Sequence, residues 1–181
     1  MIARRLMLAA AGTLAAGLGM RKPRAERLHD LAGDLTPTDP PVAASDIMFV
    51  TADGQERHLA EFAGHGMLIN LWATWCVPCV AEMPSLAALS KTLAPDDIAV
   101  LPLSSDRGGA RTVEAFYQEH GITGLPVLLD PRGAAARSWG VHGLPTSVII
   151  DRQGRERARL EGAADWSTPA AAAIIRKLVA G

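Results

Sequence analysis

The spacing of apolar positions changes several times along the chain, and each change predicts an element. Met67-Leu68-Ile69-Asn70-Leu71-Trp72 is an almost continuous apolar run, the pattern of a strand covered on both faces. Leu86, Leu89 and Leu93 then recur at helical spacing, with Pro84 predicting a kink or a late start. Upstream, Ile47 to Thr51 and Glu56 to Leu59 flank Asp53-Gly54 and read as a hairpin. Downstream, Ile98 to Leu103, Val127 to Leu129 and Thr146 to Ile150 are strand candidates. Helices are expected over Thr112 to His120, stopped by Gly121, and over the short Arg132 to Trp139. Asp151 to Gly154 turns the chain back into Glu156 to Leu160, and Ser167 is placed to cap a final helix from Thr168 to Val179. Alternating strands and helices with a closing hairpin describe an α/β fold, a mixed sheet with helices on both faces. Gly108-Gly109 reads as a helix-entry loop.

The first residues follow another logic. Arg4 and Arg5 precede Leu6 to Met20, which carries no charge, and Arg21, Lys22, Arg24 and Arg27 follow. An uncharged, mostly apolar stretch of fifteen residues suits a signal-peptide core and falls short of the roughly 20 of a spanning helix, so residues 1–22 are expected to be a signal peptide or a membrane anchor. Arg4-Arg5 followed by Leu6-Met7-Leu8 resembles a twin-arginine signal. Residues 23–44, with three prolines between Thr36 and Ala44, read as an extended tether, which leaves 45–181 as the folded domain. The expected location is periplasmic, with anchoring to the inner, cytoplasmic membrane open.

Charge narrows the partners. The whole chain is close to neutral at −1, but the first 27 residues hold six basic side chains and one acid, so the remainder carries twelve against eighteen. A mildly acidic domain binds phosphate backbones poorly, and nucleic-acid work is not expected. At 181 residues with 49% hydrophobic content, one independently folding domain fits.

Cys76 and Cys79 are the only cysteines, in Cys76-Val77-Pro78-Cys79, directly after the buried strand and at the first turn of the predicted helix. A helix N-terminus offers unpaired N–H groups and partial positive charge, which favour thiolate over thiol. Cys76 is then the expected nucleophile. Cys79, three residues on along the same helical face, is placed to resolve a mixed disulfide. Zinc would need two further ligands, and His29, His58, His65, His120 and His142 lack ligand spacing, so no metal is assigned. Cu(I) needs only two thiolates, which keeps a copper chaperone as an alternative. A disulfide closing two intervening residues is a poor structural staple, so redox use is favoured. Glu82, three residues beyond Cys79, is either a proton relay to Cys79 or a solvated surface acid. Trp75 either shields the site and offers a flat apolar contact or packs in the core.

Trp72-Ala73-Thr74-Trp75-Cys76-Val77-Pro78-Cys79 with Glu82-Met83-Pro84, and later Gly143-Leu144-Pro145-Thr146-Ser147, resemble the signatures of the TlpA and ResA group of thioredoxin-like membrane-associated reductases. The resemblance runs from about Ser45 to the C-terminus. It implies a thioredoxin-like fold, of which the hairpin read above is an N-terminal β-hairpin extension, and a cis peptide before Pro145. It also implies disulfide-containing proteins matured outside the cytoplasm as substrates. Trp75, Val77, Pro78, Leu144 and Pro145 would border the substrate, with the Leu144 backbone pairing with its chain. No soluble cofactor is needed; a membrane electron-donor protein would restore the dithiol, because the surroundings outside the cytoplasm are oxidising. Gly143 to Ser147 and Ala164-Asp165-Trp166 look more like TlpA, which favours copper-site proteins of a haem-copper oxidase over apocytochrome c as substrates. An oxidase differing only in redox potential uses the same residues.

Overall fold

A computed structural model describes residues 34–181. The expected signal or anchor at 1–22, and the tether as far as residue 33, lie outside the described residues. Eight strands form one sheet in the order β1-β8-β7-β4-β5-β6-β2-β3. They are β1 (Thr36–Ala43), β2 (Met48–Thr51), β3 (Glu56–His58), β4 (Gly66–Trp72), β5 (Ile98–Ser104), β6 (Leu128–Leu129), β7 (Thr146–Ile150) and β8 (Arg155–Glu161). The helices are α1 (Val77–Leu93), α2 (Ala110–Glu119), α3 (Ala134–Ser138) and α4 (Pro169–Ala180). Parallel pairing joins β4 to β5 and β5 to β6, and the other pairs are antiparallel. The expected hairpin is β2 and β3, attached through β2 to β6.

Every residue of β4 is buried, as its apolar run predicts. Its alternate side chains enter different cores. Leu68 and Trp72 join Met83, Leu86, Phe116, Trp166 and Ile175 in one cluster, while Met67, Ile69 and Leu71 join Phe49, Leu103, Val148 and Trp139 in the other. Helices α1, α2 and α4 thus contribute to the first core and α3 to the second, which puts helices on both faces.

Three expectations change. The segment read as a tether up to Ala44 is extended, but Thr36–Ala43 pairs with β8 as an edge strand with an irregular register between Pro37 and Val42. Prolines lack the donor that a central strand requires, and an edge strand can turn those positions outward. Helix α1 starts seven residues before Pro84 and runs through it without a late start. Burial of Met83, Leu86, Leu89 and Leu93 outweighs the one hydrogen bond that Pro84 removes. The cap of α4 is Thr168, whose hydroxyl accepts from Ala171 N at 3.2 Å, rather than Ser167, which bonds Asp165.

The site is assembled at one end of the sheet. Antiparallel β4 and β7 pair Leu71 with Thr146, so the exit of β4 lies beside the entry of β7. Ser105 N donates to Trp72 O, and Asp130 N donates to Ser104 O, so the exits of β5 and β6 come to the same end.

Candidate active site

Cys76 occupies the N-cap of α1, and its Sγ accepts from Cys79 N at 3.3 Å. Pro78, in the first turn, has no N–H, so the donors left at this helix end are few and one is aimed at the Cys76 sulfur. The two cysteines are joined in a disulfide with Cα atoms 5.2 Å apart. Cys79 is fully buried, whereas Cys76 keeps 6% of its surface exposed. An incoming disulfide therefore meets Cys76 first. Asp106 steadies the approach to the dithiol: its carboxylate accepts from Thr74 N and Thr74 Oγ1, at 2.9 and 2.7 Å, and from Ser104 Oγ at 2.7 Å. Cys76 N closes a turn onto Ala73 O.

The rim is apolar and open to solvent. Trp75 is 68% exposed and Val77 80%, two of the three large hydrophobic residues so exposed among the described residues. Pro78 beside them is also exposed. Leu144–Pro145 is a cis peptide bond at the entry of β7, with Leu144 half-buried and Pro145 buried.

Glu82 lies beneath this surface with no exposure. Its Oε1 accepts from Asn70 Nδ2 at 2.8 Å, and its Oε2 accepts from Ala164 N and Trp166 Nε1, both at 3.1 Å. Asn70 Nδ2 also donates to Ser147 Oγ at 3.0 Å, its pairing partner on β7. Burial pushes the Glu82 carboxyl up from 4.5 to about 7, against the pull of its three donors. Of its two sequence readings, the surface acid is excluded. The structure groups Cys76, Cys79, Trp75, Val77 and Pro78 around the start of α1, places Glu82 one helical turn below Cys79, and brings Leu144 and Pro145 to the same end of the sheet.

Sequence reasoning overlooked the side chains that hold Glu82. Asn70 carried a signal, as the one amide within an otherwise apolar run. Trp166 and Ser147 stand in motifs of the resemblance, but nothing local links either to Glu82, since each arrives from a distant part of the chain. Among the described residues there is no group of three or more histidine, cysteine or acidic side chains placed for a metal.

The Redoxin family model matches residues 31–175. The chain is 29% identical over 119 residues to the thiol-disulfide oxidoreductase ResA of Geobacillus thermodenitrificans, covering 66% of this chain and 67% of that one. It is 41% identical over 88 residues to a thiol:disulfide interchange protein DsbE homologue of Paracoccus denitrificans, covering 49% of this chain and 46% of that protein. A solved structure of a putative thiol-disulfide oxidoreductase from Bacteroides vulgatus superposes with a TM-score of 0.64 at 27% identity, over 84% of this chain and 99% of the other. The mixed sheet and its helices are a thioredoxin-like fold. With a disulfide at the cap of α1, the chain belongs to the Redoxin family and is a thiol-disulfide oxidoreductase of the ResA and DsbE type.

Proposed function

We propose that the protein works outside the cytoplasm as a reductase of paired cysteines in other proteins, keeping them reduced until they take up haem. The observation that carries it is the buried Glu82 carboxyl, tuned to about 7 and set one helical turn below the buried Cys79. A copper chaperone needs two thiolates and no proton relay; a reductase must deprotonate its second thiol during each cycle.

In that cycle the Cys76 thiolate attacks a substrate disulfide. A Cys76 to substrate S–S bond forms, the substrate S–S bond breaks, and the second substrate sulfur leaves as a thiolate. Glu82 accepts the proton of Cys79, whose thiolate attacks Cys76 Sγ. The Cys76–Cys79 disulfide forms and the reduced substrate departs with two electrons more. A membrane thiol donor returns the two electrons. Trp75, Val77 and Pro78 provide the apolar rim on which the substrate settles, and the Leu144 backbone pairs with its chain. The N-terminal segment directs the domain across the cytoplasmic membrane and either anchors it there or is removed.

Of the two substrate classes, the resemblance favours copper-site proteins partly through Ala164-Asp165-Trp166. That segment supplies two of the three donors to Glu82, and Trp166 is fully buried, so its side chain serves the carboxylate rather than a partner. Similarity to chains named ResA and DsbE moves the balance toward apocytochrome c thiols. The test is a Cys79→Ala variant, which should accumulate a mixed disulfide through Cys76 in cells. Recovery of apocytochrome c supports the proposal, and recovery of copper-site proteins alone overturns the substrate assignment. Absence of any mixed disulfide overturns the reductase reading.

A further inference from the structure

Beside Trp75 runs a groove of about 840 Å³ whose walls come from the loops after β5 and β6, with Asp106, Arg107, Gly108, Pro131 and Arg132 among its lining residues. Among the described residues, Arg57, Arg152, Arg155, Arg157, Arg159 and Arg176 each pair with a carboxylate. Arg107, Arg111, Arg132 and Arg137 form no ion pair, and of these Arg107 and Arg132, both exposed, line this groove. Acids that occur here face inward. Asp106 spends its oxygens on Thr74 and Ser104, and Asp130, next to Pro131, spends its own on Ala134 N, Ala135 N and Ala136 N. Both carboxylates are almost completely buried. Two free guanidinium groups thus flank an exposed tryptophan directly adjacent to the nucleophile, on a domain that is acidic as a whole.

An unpaired arginine on a surface is ordinary. Two in one groove that also contains the residue before Cys76 are placed where a bound substrate must lie. Guanidinium is weakly hydrated and suited to a carboxylate at an interface, and charge complementarity of this kind acts mainly on association rate and partner choice.

We propose that this groove receives the substrate chain beside the attacked cysteine and selects acidic side chains there, with Arg107 and Arg132 as the recognising cations and Trp75 as the apolar floor. The inference rests on the reductase reading and specifies its substrate class: reducible cysteines with aspartate or glutamate within a few residues.

The experiment uses the reduced protein and three probes: a peptide with an intramolecular disulfide flanked by glutamates, the same peptide with glutamines, and the uncharged bis(2-hydroxyethyl) disulfide. Second-order rate constants are measured at low and high salt. The glutamate peptide should react about tenfold faster than the glutamine peptide at low ionic strength, with the ratio approaching one in molar salt. The ratio should fall to about one at all salt concentrations in Arg107→Gln/Arg132→Gln and persist in Arg107→Lys/Arg132→Lys. Equal rates for the two peptides, or a preference that survives the double glutamine variant, would overturn the groove assignment while reduction of the uncharged disulfide leaves the reductase reading standing. Failure to reduce any of the three would overturn both.

Discussion

Trp166 Nε1 donates to Glu82 Oε2 from 84 residues further along the chain, and this bond ties the segment before α4 to the acid under the dithiol. The Ala164 N donor strengthens the same tie. Replacing Trp166 by phenylalanine keeps an aromatic ring and removes one donor to the charged form of Glu82. The Glu82 carboxyl should then titrate higher than about 7, by up to roughly one unit, since a hydrogen bond to the ionised form is lost. The pH profile of mixed-disulfide resolution should move upward by the same amount, which a rapid-quench series on Trp166→Phe measures.

Glu82 also makes folding depend on pH, and the sign follows from its direction of shift. Its folded pKa is raised from 4.5 to about 7, so the native state holds the proton more tightly than the unfolded chain. The stability this contributes is fully present below pH 4.5 and is lost as pH rises through about 7, to a total of about 3 kcal/mol. Urea unfolding of the wild type and of Glu82→Gln at pH 4.5, 6 and 8 should show the wild type losing stability relative to the variant across that range. A constant difference between the two would refute the buried carboxyl's role in stability.

In catalysis Glu82→Gln should leave the first attack by Cys76 nearly intact and slow the second step by Cys79 by about 10²-fold, the low end of general-base contributions. Single-turnover reactions should then accumulate mixed disulfide that the wild type does not. Raising the pH should partly restore the variant as hydroxide takes over removal of the Cys79 proton.

Close approach of β4 to α4 favours glycine at position 66. A Cβ on Gly66 would stand 2.1 Å from Cγ1 of Val179, a stiff, buried β-branched side chain on α4. Gly66→Ala should cost about 1–3 kcal/mol, and adding Val179→Ala should make the pair less destabilised than the sum of the singles. Thermal or urea unfolding of the double-mutant cycle measures the coupling.

What could be read without the structure was whatever depends on neighbours in sequence. The β4 run, the placement of Cys76 and Cys79 at the start of α1 and the Thr146–Ile150 strand are local patterns, and each stands where expected. Edge strand β1 was hidden because its prolines erase alternation, and only the presence of β8 beside it makes it a strand. The choice between the two readings of Glu82 was hidden for the same reason: helical spacing puts a carboxyl below Cys79, but Asn70, Ala164 and Trp166 determine that it is buried and held. Trp75 was undecided between core and surface because a tryptophan looks alike in sequence whichever side of a loop it occupies. Its 68% exposure decides for the surface. Trp75→Ala should therefore change stability by no more than about 0.5 kcal/mol while raising KM for a protein disulfide, a split that unfolding curves and reductase assays on one preparation reveal.

The most direct measurement is the pH dependence of alkylation of each cysteine in the reduced protein, combined with turnover of a reducible disulfide. Cys76 should titrate at least one unit below the free-cysteine value of about 8.5, held down by the start of α1, while Cys79 stays protonated to higher pH and substrate is reduced. If both cysteines titrated near 8.5 and no disulfide were reduced, the start of α1 would not be activating a nucleophile, and the proposed mechanism would be wrong.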